Sequence, residues 1–208
     1  MKYLIGITGN FGSGKSFVGD ILKKHAVVVI DTDQIVSEIL LKKNKITKNL
    51  VKLFGKSIIN KSSRCYINKK ALGIIAFKEP KLRRMLQNII HPEVRKIVKN
   101  KIARIYNTNI IAVLIPLLFE TGQSKYYDEI WCVVCRNNIR IKRLKLRGFT
   151  ENEIKLRLKA QMPEIKKIKK ADFVIDNSGA KKITEKQVSN RLKQLVQSSH
   201  SLRLFCDK

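Results

Sequence analysis

Five short apolar runs punctuate the chain, and stretches of helical period fill the intervals between them. The first run is Tyr3 to Thr8, followed by a glycine-rich segment and a helical pattern reaching about Lys24. Ala26-Val27-Val28-Val29-Ile30-Asp31 is continuous and rich in β-branched residues, as a strand buried on both faces should be. The third run, Ile110 to Ile115, stops at Pro116; the fourth is Ile130 to Val134 and the fifth Phe173 to Asp176. Strands alternating with helices predict βαβ units, right-handed crossovers and a parallel sheet. The expected architecture is a doubly wound α/β core.

The interval between the second and third runs is long and helical. Ile35, Ile39 and Leu40 share a face, as do Leu82, Leu86, Ile89 and Ile90, while Gly55 and Lys61-Ser62-Ser63-Arg64 mark breaks. We read residues 35–108 as a helical insert, with residues 1–34 and 109–208 forming the core. After the fourth run, Arg140, Arg143 and Arg147 recur at i, i+3 and i+7 and so project from one helix face. Gly148 ends that helix, Thr150-Glu151-Asn152-Glu153 is a capping box opening the next, and Pro163 closes it. The pattern over 136–165 fits either a solvated basic helix pair or a lid whose arginines close over phosphates.

Directly after the first run stand Gly9-Asn10-Phe11-Gly12-Ser13-Gly14-Lys15-Ser16, which spell G-x-x-x-x-G-K-[ST]. Glycines let main-chain N–H groups turn inward around a polyphosphate, the lysine brings a point charge, and the serine hydroxyl is placed to ligate Mg²⁺. The segment also opens onto a helix N-terminus, whose free N–H groups favour an anion. The core is therefore expected to be of the P-loop NTPase type and to bind a nucleoside triphosphate.

Asp31-Thr32-Asp33 follows the second strand at the carboxyl edge of the expected sheet, where ligands of such sheets bind. One of these acids is expected to take the proton of an attacking hydroxyl or to hold Mg²⁺ through water; the bland alternative is helix capping. Pro116-Leu117-Leu118-Phe119-Glu120 leaves the third strand at the same edge, so Leu117, Leu118 and Phe119 are candidates for an apolar pocket wall and Glu120 for orienting a ligand or an arginine. Asn177-Ser178-Gly179 follows the fifth strand and offers polar groups near a nucleotide base. His91, beside Pro92, is more often a packed or capping residue than a catalytic one.

Composition narrows the classes that remain. The chain has 208 residues, 44% hydrophobic, with no apolar stretch of bilayer-spanning length. Its first residues run straight into a strand, so a cytoplasmic protein without membrane association is expected. Cys65, Cys132, Cys135 and Cys206 suit a reducing compartment, and Cys132 and Cys135 lie in a strand pattern where residues three apart face opposite ways, which disfavours a shared metal. The net charge is +28, with eleven Lys/Arg and no acid from Lys42 to Lys78, and thirteen basic residues from Arg136 to Lys170. Such fields attract polyanions, but general lysine enrichment explains most of the excess. Aromatics are not interleaved with the basic blocks as single-strand stacking requires, so no specific nucleic acid is expected. No heptad marks an oligomer interface.

In this order the pieces resemble dephospho-CoA kinases over nearly the whole chain. The family's G-[IL]-T-G-G-I-G-S-G-K-[ST] is similar to Gly6 through Ser16, and its D-A-D to Asp31-Thr32-Asp33. Its F-G, H-P-x-[IV], P-L-L-F-E and D-[FY]-V-I-D-N-[SN]-G resemble Phe54-Gly55, His91 to Val94, Pro116 to Glu120 and Asp172 to Gly179. Its lid pattern resembles Arg143 with Arg147, then Arg157 with Gln161 and Met162. The resemblance implies phosphoryl transfer from ATP to the ribose 3′-hydroxyl of dephospho-CoA, with Mg²⁺. It implies Asp33 as base, Lys15 and Arg143 as catalytic cations, and Ser16 on the metal. Gly9 to Ser16, Arg143, Arg147 and Asn177 would hold ATP; Asp31, Asp33, His91, Leu117, Phe119 and Glu120 would face the acceptor bound by the insert. The chain departs at Asn10 and Phe11 (usually Gly-Ile), Thr32 (Ala), Ser37 (Arg or His) and Lys69 (Arg). A different nucleoside or nucleotide kinase shares the loop, acids and lid; a nucleic-acid-binding P-loop ATPase is the more distant alternative.

Overall fold

The structure is a computed structural model that describes residues 2–60, 66–106 and 108–206, with side chains as far as residue 197 except those of Phe77 and Lys78. The break expected over residues 61–64, together with Cys65, lies outside the described residues, as do the side chains of the 198–208 tail, Cys206 included.

Five parallel strands form one sheet: β1 (Tyr3–Thr8), β2 (Val28–Asp31), β3 (Ile110–Leu114), β4 (Glu129–Val134) and β5 (Phe173–Asp176), in the order β2-β3-β1-β4-β5. The helices are α1 (Lys15–Lys24), α2 (Thr32–Leu41), α3 (Lys45–Phe54), α4 (Lys69–Lys78), α5 (Pro80–Ala103), α6 (Asn137–Leu146), α7 (Glu151–Lys159), α8 (Glu164–Ile168) and α9 (Lys181–Cys206). Because strand side chains alternate faces, β3 feeds two cores. Ile111 and Val113 point into a cluster with Ile35, Leu40, Leu50, Ile90 and Val94 of α2, α3 and α5. Ala112 and Leu114 point the other way, to Ile5, Ile7 and Trp131 and to Val18, Leu22 and Val188 of α1 and α9. Both faces are covered, which is why the strands read as unbroken apolar runs.

The second strand begins later than its apolar run suggests. Ala26 takes a left-handed φ of 57°, and Val27 N–H donates to Leu22 O at 3.1 Å, so these residues close α1 in a Schellman-type turn. Local hydrogen bonding at the helix end wins over β-propensity there. The third strand likewise ends at Leu114, though Ile115 N–H still reaches Ile7 O at 2.8 Å. The capping box of α7 forms as expected: Glu153 N–H donates to Thr150 Oγ1 at 3.3 Å, and Thr150 N–H donates to Glu153 Oε2 at 2.9 Å.

All five strands deliver their carboxyl ends to one edge. The glycine loop leaves β1, Asp31 ends β2, Pro116 follows β3, Cys135 and Arg136 follow β4, and Asn177 follows β5. Helices α2 to α5 pack on one face of the sheet, and α7 of the α6–α7 hairpin meets α4.

Candidate active site

The loop between β1 and α1 is shaped by what crowds it. A Cβ on Gly14 (φ +101°) would fall 1.9 Å from Asn177 Nδ2, and one on Gly12 (φ +79°) 2.7 Å from Leu144 Cδ1. Glycine is required at both positions for backbone conformation and for space. Asn177 and α6 thus press directly on the loop. Asn10 Oδ1 and Ser13 Oγ are buried there without hydrogen-bond partners among the described residues; the serine hydroxyl can donate to a bound anion, and the amide oxygen can accept from its water.

Lys15 folds over the loop, donating from Nζ to Gly9 O at 2.8 Å and more distantly to Asn10 O at 3.4 Å. Burial pushes its pKa down to about 8, against the opposing pull of the Asp33 carboxylate and with a further push from Lys167. Ser16, next in α1, is exposed.

The two acids after β2 divide their work. Asp31 caps α2, its Oδ1 accepting from Asp33 N–H at 2.8 Å, and burial raises its pKa despite that bond. Asp33 is exposed, and its carboxylate is left uncommitted by the described residues. Thr32 between them is buried and donates to Leu114 O at 2.8 Å, so its hydroxyl serves the sheet. Asp33 lies at a cavity of about 100 Å³ shared with His91, Arg95, Pro116, Leu117 and Gln123. Burial, and then the Arg95 guanidinium, lower the His91 pKa and favour a neutral imidazole.

Other expected acceptor residues stand elsewhere. Leu118 is fully buried in the core and Phe119 packs against the same cluster. Glu120 accepts from Lys167 Nζ and from Met162 N–H, both at 2.9 Å; it anchors the chain between α7 and α8 to the loop after β3. Lys167, which the sequence reading missed, is wholly buried and donates also to Pro116 O at 2.9 Å.

The arginines of α6 do not share one environment. Arg140 turns inward to Cys135 O at 2.7 Å and pairs with Glu164, so it does not project together with Arg143 and Arg147 as their spacing suggests. Arg143 is half-buried and donates to Asn177 O at 2.8 Å; Arg147 is exposed at the helix end. The Asn177 side chain is also spent within the protein, donating to Ser13 O at 2.9 Å and accepting from Thr184 Oγ1 at 3.2 Å. Asn177 thereby braces the glycine loop. Cys132 and Cys135 are both buried behind this loop, where burial raises the Cys132 thiol to about 11.

A family model described as Dephospho-CoA kinase matches residues 3–185. The chain belongs to the dephospho-CoA kinase family. It is 38% identical over 188 residues to a dephospho-CoA kinase of Carboxydothermus hydrogenoformans, covering 89% of this chain and 90% of that one. A Thermus thermophilus protein of known crystal structure superposes with a TM-score of 0.77 at 30% identity, covering 95% and 97% of the two chains. The dephospho-CoA kinase of Campylobacter jejuni superposes with a TM-score of 0.67 at 25% identity, covering 96% and 100%.

Within that family frame, two departures of this chain meet in space. Lys69 Nζ donates to Ser37 Oγ at 2.9 Å, and Ser37 Oγ donates in turn to Asp33 O at 2.8 Å. This lysine and serine form a tie from the start of α4 to the turn of α2 that carries Asp33. Spacing alone gave no sign of it.

Proposed function

We propose that the protein transfers the γ-phosphoryl group of ATP to the ribose 3′-hydroxyl of dephospho-CoA, releasing ADP and CoA as the last step of CoA synthesis. The observation that carries this reading is the division between the two acids: Asp31 is spent as a cap, and Asp33 stays uncommitted at the acceptor cavity while pulling electrostatically on Lys15. A base and a phosphate-binding cation thus face one another across the space where donor and acceptor must meet.

In the transfer, the 3′-oxygen forms a bond to the γ-phosphorus as the bond to the β–γ bridging oxygen breaks, and the hydroxyl proton passes to Asp33. The transition state is loose, so the demands on the protein are alignment and charge neutralisation. Loop N–H groups from Gly9 to Ser16 and the Lys15 ammonium would hold the β- and γ-phosphates. Arg143 and Arg147 would approach them from the 136–165 hairpin, acting as a lid. His91 and Leu117 would contact the acceptor, and residues 35–108 would hold its remainder. Arg95 adds a cation suited to the acceptor's pyrophosphate.

Hard cations take oxygen ligands, and the exposed Ser16 hydroxyl at the start of α1 offers one beside the glycine loop. We assign Mg²⁺ to Ser16 and the nucleotide phosphates, where it would neutralise phosphate charge. No helix of the described residues is long and apolar enough to cross a membrane.

A coupled ADP assay over a panel of acceptors tests the reading. ADP release is expected with dephospho-CoA and at background level with adenosine and nucleoside monophosphates. Equal turnover on one of the latter would replace the proposed acceptor.

A further inference from the structure

The tip of the phosphate loop carries an aromatic side chain, Phe11, that does not enter the core. Its ring meets Phe149, in the turn between α6 and α7, edge to face, with centroids 5.0 Å apart and planes at 89°. Into the corner between them reaches Arg157 of α7, whose guanidinium carbon lies 5.0 Å from the Phe11 centroid and 5.2 Å from that of Phe149. Both separations are within cation–π range. The Phe11 N–H adds a main-chain tie by donating to Gln161 Oε1 at 2.8 Å.

Arg157 is also close to the other wall of the site. Its Nη2 would lie 3.6 Å from a Cβ at Gly73 of α4, and the Asp33 carboxylate acts on it electrostatically. One guanidinium therefore contacts the rings of the loop and of the hairpin turn and approaches Gly73 of α4. The hairpin rests against the loop through Phe149, Arg157 and Gln161.

We propose that Phe11 is a positioning residue: with Phe149 it captures the Arg157 guanidinium and latches α7 onto the phosphate loop, so that the hairpin is held over the loop before nucleotide arrives. An aliphatic side chain at position 11 fills similar space and offers no π face. The latch sets the cost of opening the hairpin and the direction in which Arg157 points. The inference rests on the reading of residues 136–165 as a lid.

Hydrogen exchange of the nucleotide-free protein, with and without added ADP, combined with steady-state kinetics on Phe11→Leu, Phe149→Leu and Phe11→Tyr, tests it. Each leucine variant is expected to speed amide exchange in 137–161 about threefold or more and to raise the KM for ATP about three- to tenfold, in keeping with a cation–π contact. Exchange in the β-strands and the KM for dephospho-CoA should stay at wild-type values, and Phe11→Tyr should restore both altered readouts. Unchanged exchange in 137–161, acceleration spread into the strands, or a tyrosine variant that behaves like the leucine one each overturns the latch. Protection of 137–161 that is indifferent to ADP in the wild type would instead remove the lid reading beneath it.

Discussion

Asn177 Nδ2 donates to Ser13 O at 2.9 Å, joining the segment after the last strand to the phosphate loop after the first. The same nitrogen occupies the place a side chain on Gly14 would need, 1.9 Å from its Cβ position. The Asn177 carbonyl in turn holds Arg143. One residue therefore braces the loop, enforces a glycine in it and positions an arginine of the hairpin.

Asn177→Ala should leave the Ser13 carbonyl and the Thr184 hydroxyl unpaired in the interior. Such losses cost about 2 kcal/mol, which for a domain of this size corresponds to about 5 °C in Tm. The KM for ATP should rise because the loop is less well held. Calorimetric melting and ATP saturation curves check this; a variant with wild-type Tm would show that the bond contributes nothing to the fold.

Lys167, fully enclosed, pairs at 2.9 Å with the more accessible Glu120. Removing Glu120 leaves the enclosed ammonium uncompensated, at a cost of about 3–5 kcal/mol. Glu120→Gln should therefore lower Tm strongly, and adding Lys167→Met should recover much of the loss. Thermal melts of the two single variants and the double variant suffice. Strict additivity of the two changes would show that the pair is not coupled.

The parts of the molecule that were readable in the sequence owe that to strong local constraints. Strands buried on both faces leave continuous runs such as Ile110 to Leu114, and a loop wrapped around phosphates needs glycines at fixed offsets. The Asp31 and Asp33 carboxylates had to lie at the strand ends once the strands were placed. Lys167 was opaque because Lys166-Lys167-Ile168-Lys169-Lys170 reads as a solvated basic stretch; its burial depends on Glu120, a partner brought close only by the fold. Arg140 was misread for the same reason, since its partner Glu164 lies beyond another helix. The late start of β2 reflects a helix-ending turn at Ala26 that apolar patterning does not register.

Burial holds the Lys15 ammonium at about 8, well under the usual 10.5. Between those values the unfolded chain binds the proton that the folded, ligand-free protein has given up, so stability of the free protein should rise with pH through this window. Nucleotide affinity should move the opposite way. Phosphate favours the charged lysine, so ADP affinity is expected to weaken as pH climbs above about 8, with proton uptake on binding. Titration calorimetry at pH 8.5 in buffers of different ionisation enthalpy measures that uptake, and Lys15→Met should abolish it. An ADP affinity that stays flat from about pH 7 to 9.5 would assign phosphate recognition to another group.

Asp33 and Asp31 stand two residues apart and should fail differently. Asp33→Asn keeps the size and hydrogen-bonding reach of the side chain while removing the base, so kcat should fall by about 10²–10⁴-fold with the KM for ATP and the Tm nearly unchanged. Asp31→Ala removes the bond to Asp33 N–H at the start of α2. It should cost about 1 kcal/mol of stability as a lost cap and lower kcat only modestly, through looser placement of Asp33. Parallel measurement of Tm and kcat on both variants separates the roles. Should Asp31→Ala abolish turnover while Asp33→Asn spares it, the proton would go to the capping residue, and the raised pKa that burial gives Asp31 would mark it as the base.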